Sequence, residues 1–63
     1  MQPHQQRVVD EKDELAEKLT KLNGFIGGTI YDSLSADERN RLCRQAAVMK
    51  DYLDILNDRI NAF

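Results

Sequence analysis

Apolar residues recur in the first third of the chain as Val8, Leu15, Leu19, Leu22 and Ile26, at steps of seven, four, three and four. That spacing is one stripe on a helix, because residues three, four and seven apart share a side of a 3.6-residue turn. Asp10, Asp13, Glu14, Glu17, Lys18 and Lys21 occupy the opposite side. Glu14 with Lys18, and Glu17 with Lys21, stand four apart in the favourable order, which supports a helix by about 0.2–0.5 kcal/mol per pair. The pattern predicts a first helix over residues 3–23. Pro3 suits an initial helical position, where its missing N–H would be unpaired anyway. Gly24 is placed to end the helix in the left-handed conformation.

Residues 24–34, GFIGGTIYDSL, form the connection. Gly27 and Gly28 interrupt helical structure there, yet Phe25, Ile26, Ile30, Tyr31 and Leu34 are too apolar for a loose linker. The segment is expected to fold back and cap one end of the molecule.

A second helix, over residues 36–62, opens on a capping box. Ser35 is followed three residues later by Glu38, and Asp37 adds negative charge to the first turn. Leu42, Ala46, Met49, Leu53, Leu56, Ile60 and Phe63 then alternate steps of four and three, a heptad seam and the strongest periodic signal in the chain. At 1.5 Å per residue this helix is about 40 Å long, a turn or two longer than the first. The fold class that follows is all-α: an antiparallel two-helix hairpin forming one domain over residues 1–63.

The seam does not exhaust the apolar surface of the second helix. Gln45, Met49, Tyr52, Leu56 and Phe63 form a row beside it, and Val48 and Ile55 are expected to widen the sector on the other side. One partner helix of 21 residues is too narrow to cover that sector, so the remainder is an exposed apolar patch of the kind that marks an association surface. Ala46 and Ala47 offer a place for two backbones to approach closely. A wide core face roofed by the folded-back connection would use the same residues without an oligomer. Size favours association. A chain of 63 residues falls below the roughly 70–80 at which one core suffices, and such chains lean on disulfides, metals or partners. Cys43 is the sole cysteine, and His4 with Cys43 falls short of the four ligands of a structural zinc site. A helical homo-oligomer is the expectation.

Charge narrows the function classes. Charged residues make up 32% of the chain but nearly cancel, leaving a net charge of −2. A duplex nucleic-acid binder would carry a basic excess, and four aromatic residues are few for stacking a single strand. No apolar run is long enough for a membrane span, and the first residues lack the apolar core of a signal peptide. With one unpaired cysteine, the expected location is the cytoplasm. Catalysis is not expected: the one histidine and the one cysteine have nothing to pair them, and no P-loop or dinucleotide fingerprint is present. No cofactor or metal is called for.

Antiparallel pairing would gather Lys18, Lys21, Arg39, Arg41 and Arg44 toward the connection. It would set Asp51, Asp54 and Asp58 toward the open end, near Arg7. Beside Gly27-Gly28-Thr29 and a helix N-terminus, the basic cluster could hold an anion such as a phosphate. Alternatively Glu17, Asp32, Asp37 and Glu38 neutralise it. Repeated at a symmetric, partly dry interface, the same cations would favour an anion more strongly. On the first turns, His4 could stack on a base and Arg7 could meet a phosphate, or both could simply be solvated.

The run HQQRVVDEKDELAEKLTKLNGFI, then L-S-x-x-E, then a helix with Gln45, Met49, Tyr52, Leu56 and Arg59-Ile60, resembles a family of small phage proteins. These are the helical-hairpin cyclic-nucleotide sponges that counter CBASS and Thoeris immunity, and the resemblance covers almost the whole chain. It implies a hexamer in the host-cell cytoplasm that sequesters cyclic dinucleotides, cyclic trinucleotides or cyclic ADP-ribose variants between protomers, without hydrolysing them. It further implies His4 as the stacking ring, where a tyrosine is common in the family, with Lys18 of a neighbouring chain, beside Thr20, on the phosphates, and Arg7 as an addition. A separate pocket about a threefold axis would draw on Asn40, Arg41 and Arg44. The alternative is a non-catalytic coiled-coil adaptor or inhibitor that docks its seam on a partner helix.

Overall fold

The computed structural model describes residues 1–63 and is entirely helical outside its turns. Helix α1 spans Pro3–Ile26, a short α2 spans Thr29–Asp32, and α3 spans Ala36–Asn61. The two long helices run antiparallel as a rod of 46 × 14 × 13 Å, the thickness of a helix pair.

The ends follow from local chemistry. Pro3 sits at the start of α1, and the Gln2 backbone N–H donates to Gln5 Oε1 at 2.9 Å. At α3, Ser35 Oγ accepts the Glu38 backbone N–H at 3.2 Å. Glu38 does not return the bond. Its carboxylate takes the Arg41 Nε at 3.0 Å instead, so Ser35 provides the cap and the box stays half-formed.

Two expectations about α1 are corrected. Gly24 does not stop the helix, which continues through Phe25 and Ile26. No glycine adopts a positive φ, and the stop is made by Gly27, whose N–H bonds back to the Asn23 carbonyl at 3.1 Å. The reason is the stripe. Continuing one more turn returns Ile26 to the side of Leu19 and Leu22, where it is half-buried, and that outweighs the roughly 1 kcal/mol penalty of a glycine inside a helix. In consequence α1 has 24 residues and α3 has 26, nearly equal rather than a turn or two apart.

The core lies along the contact of the two long helices. Val8, Leu15 and Leu56 are buried together, with Met49, Leu53 and Ile60 packed against them, and Leu19 is buried nearer the connection. Leu56 alone is completely enclosed. Four buried residues in 63 make a thin core, as expected when a chain this short exposes most of its surface.

The connection folds back only in part. Within it α2 sets the Tyr31 phenol against α3, 3.0 Å from Cys43 Sγ and 3.4 Å from the Arg39 carbonyl. Ile30 points outward and stays 65% exposed, so α2 does not roof the apolar sector of α3. Val48, Tyr52 and Ile55 remain exposed at 66%, 40% and 56%. Steps of four and three place these three on one flank of the seam, which corrects the expectation that Val48 and Ile55 lie across from Tyr52.

Candidate ligand-binding surfaces

Register across the hairpin is fixed by contacts between α1 and α3. Leu56 packs with Val8, and the Tyr52 phenol donates to the Glu11 carboxylate. Pairing Glu11 with Tyr52 also defines which flanks share a face. On α1, Arg7 stands four residues before Glu11, and Glu14 and Lys18 three and seven after it; on α3, Val48 stands four before Tyr52 and Ile55 three after it. All of them lie on that face.

Lys18 stands out on it. The chain has four lysines: Lys12 pairs with Asp13 at 2.6 Å, Lys21 with Glu17 at 3.1 Å, and Lys50 with Asp54 at 2.6 Å. Of the two expected pairs, Glu17–Lys21 forms and Glu14–Lys18 does not. Lys18 is exposed and carries no ion pair. Thr20, expected beside it, lies across the helix, because residues two apart do not share a side. Its hydroxyl donates to the Ala16 carbonyl at 2.9 Å.

His4 and Arg7 are exposed at the open end, and Arg7 forms no ion pair with Asp51, Asp54, Asp58 or any other acid. Fourteen residues separate His4 from Lys18, about 21 Å along the axis. A single hairpin therefore cannot close His4 and Lys18 on one small ligand.

Asn40, Arg41 and Arg44 do come together. With Asp37 and Cys43 they line an open depression of ≈ 480 Å³ on the outer side of the α3 N-terminal half, turned away from α1. Its charge is mixed. Arg41 is held by Glu38, whereas Arg44 has no ion pair, so neutralisation of the basic cluster is partial. Arg39, also expected in the cluster, is half-buried instead, and its Nε is enclosed without a partner. No three His, Cys, Asp or Glu side chains gather as a metal site would require.

Two features escaped the sequence reading. The Tyr31–Cys43 contact has no periodic signature, since Tyr31 reaches α3 from an irregular segment. There the hydrogen bond to Cys43, followed by desolvation, pushes the Tyr31 phenol above its ordinary range. The Glu11–Tyr52 contact had a signal in principle: once Val8 is set level with Leu56, counting along both helices brings positions 11 and 52 to nearly one height.

Fold and surface together define a small all-helical hairpin with a thin core, an uncovered apolar stripe and unpaired cations at both ends. The profile of the Sequestin family matches residues 2–62, and the chain belongs to that family. It is also 35% identical, over all 63 of its residues and 98% of the relative, to an uncharacterized 7.5 kDa protein of the denB-rIIB intergenic region of Enterobacteria phage T4. No solved structure matches the chain. No helix is long and apolar enough to cross a membrane.

Proposed function

We propose that this protein is a non-catalytic sponge, which binds cyclic oligonucleotide signals between copies of itself and so blocks CBASS- or Thoeris-like antiphage defence. The observation that carries the reading is Lys18. It is the one lysine left without an acidic partner, although Glu14 stands four residues before it in the favourable order. An unpaired cation on a face that also exposes apolar residues suits a phosphate brought into a partly desolvated gap. The family name and the phage relative agree with a sequestering role. Because one hairpin separates His4 and Arg7 from Lys18, a ligand contacting both ends must lie between protomers of an oligomer, for which a hexamer is the proposed size. Asn40, Arg41 and Arg44 are the proposed second pocket.

Native mass spectrometry with cyclic dinucleotides, cyclic trinucleotides and cyclic ADP-ribose tests the proposal. Bound ligand released unchanged, on an assembly of about six chains, is the expected result. No mass shift with any of them at ligand well above micromolar overturns it. The exposed stripe of Val48, Tyr52 and Ile55 also suits a helical protein partner. A ligand-free monomer or dimer would favour that adaptor reading.

A further inference from the structure

Four asparagines lie along the chain: Asn23, Asn40, Asn57 and Asn61, followed in turn by Gly24, Arg41, Asp58 and Ala62. In an Asn-Gly pair the glycine has no Cβ to hinder its amide nitrogen, so that nitrogen can close on the side-chain carbonyl carbon of the asparagine. Asn23 is exposed, and its carboxamide takes part in none of the side-chain hydrogen bonds. Helical backbone opposes the closure. It keeps ψ of the asparagine near about −42°, which turns the Gly24 nitrogen away from Cγ.

The turn that imposes this geometry is the least secure in α1. All three glycines of the chain, Gly24, Gly27 and Gly28, lie in it or just past it, and glycine favours the unwound backbone. The turn is closed by the Gly27 N–H on the carbonyl of Asn23 itself, at 3.1 Å. Phe25 stands on the outside, 38% exposed, and Ile26 is the half-buried side chain that docks the turn. A helix end held this lightly opens locally while the core stays folded. We propose that Asn23 is a site of spontaneous deamidation, gated by unwinding of the last turn of α1.

Once the turn opens, the Gly24 nitrogen gives up its proton and bonds to Asn23 Cγ. The carboxamide C–N bond breaks, its nitrogen departs as ammonia, and a succinimide ring remains. Water opens the ring at either carbonyl, giving aspartate or its β-linked isomer, so the net change consumes a water and releases an ammonia. Either product adds a carboxylate at the C-terminal end of α1, where the helix dipole is already negative. The β-linked form also lengthens the backbone by an atom, inside the rings of the helical hydrogen bonds that pass through position 23. The turn then cannot re-form, Ile26 leaves its place on the side of Leu19 and Leu22, and α2 with Tyr31 loses the anchor that precedes it.

Peptide mapping of the full chain, aged in mildly alkaline buffer with and without urea, tests the proposal. The readouts are the amide-to-acid mass change and labelling by an isoaspartyl methyltransferase. Conversion is expected at Asn23 and not at Asn40, Asn57 or Asn61, slowly in the folded chain and much faster in urea. Gly27→Ala strengthens the gate without crowding it, since a Cβ there meets the Asn23 and Gly24 carbonyl oxygens at 3.7 and 3.8 Å, ordinary contact distances. It should slow conversion of the folded chain about fivefold, the factor set by the helix propensity of alanine over glycine, and leave the rate in urea unchanged. Ile26→Ala undocks the turn and should speed conversion in buffer alone. A folded chain that stays unmodified at Asn23 over several weeks overturns the site. Equal rates for the native chain and Gly27→Ala, or for folded and urea-unfolded protein, overturn the gate.

Discussion

The Tyr52 phenol on α3 donates to the Glu11 carboxylate on α1, the side-chain hydrogen bond that joins the two long helices, toward the open end of the hairpin. It is solvent-accessible, since Tyr52 is 40% exposed, which discounts its strength. Tyr52→Phe keeps the ring and removes the donor. The expected cost is about 0.5–1 kcal/mol, read as a fall of roughly 4–8 °C in Tm per kcal/mol for a chain of this size. An unchanged melting curve by circular dichroism would show that the contact does not lock the register.

Gly24 offers a change in the opposite direction. It lies inside α1 at a helical φ, and a Cβ built there meets nothing within 4 Å. Gly24→Ala should therefore stabilise by about 0.5–1 kcal/mol, through higher helix propensity and a less flexible unfolded chain. A lower Tm for the alanine variant would mean that Gly24 faces a neighbouring copy too closely for a methyl group.

Both long helices were legible from their stripes because periodicity records burial along a regular element, and the Ser35 cap was legible because its chemistry is local. The end of α1 was not. Gly24 carries the composition of a stop, and only the packing of Ile26, one turn later, decides against it. The candidate surfaces were legible only as residue types: Asn40, Arg41 and Arg44 line one depression because they lie within about one turn of α3, whereas Lys18 and Thr20 point apart. Spacing says which residues share a side of one helix. It does not say which side a second copy will meet.

Tyr31 makes stability depend on alkaline pH. Its phenol is pushed above the ordinary value of 10.0, first by the hydrogen bond to Cys43. The folded chain thus holds this proton more tightly than the unfolded chain does. The resulting stabilisation is complete below the unfolded pKa and fades as pH rises through the folded one. Thermal melts between pH 8 and 11 should fall more steeply for the native sequence than for Tyr31→Phe. Parallel curves would show that Cys43 does not restrain the phenolic proton.

Leu56 tests how thin the core is. It is the one side chain enclosed completely, packed with Val8 and Leu15. Leu56→Ala should cost about 2–5 kcal/mol, a large share of what so short a chain commands. Loss of the helical signal near 37 °C is expected. Ile30→Ala, at a position 65% exposed, should shift Tm little. Similar losses at both positions would mean that Ile30 is buried in the assembled protein.

Lys18 and Lys21 separate binding from folding. Lys21 is engaged by Glu17 at 3.1 Å and Lys18 is free, though the two lie within one turn of the same helix. Lys18→Ala removes the free ammonium and costs the helix nothing, because alanine is the better helix former. If that ammonium meets a phosphate, a charge-assisted hydrogen bond worth about 1.5–3 kcal/mol is lost, which corresponds to roughly 10- to 150-fold weaker affinity. The assembly should persist at its native size. Lys21→Ala should leave affinity within about twofold, since that cation is already satisfied on an exposed surface. Titration calorimetry with a cyclic dinucleotide, alongside light scattering, reads both quantities at once. Equal affinity for the two variants would remove Lys18 from the site, and collapse of the oligomer in Lys18→Ala would assign it to the interface instead.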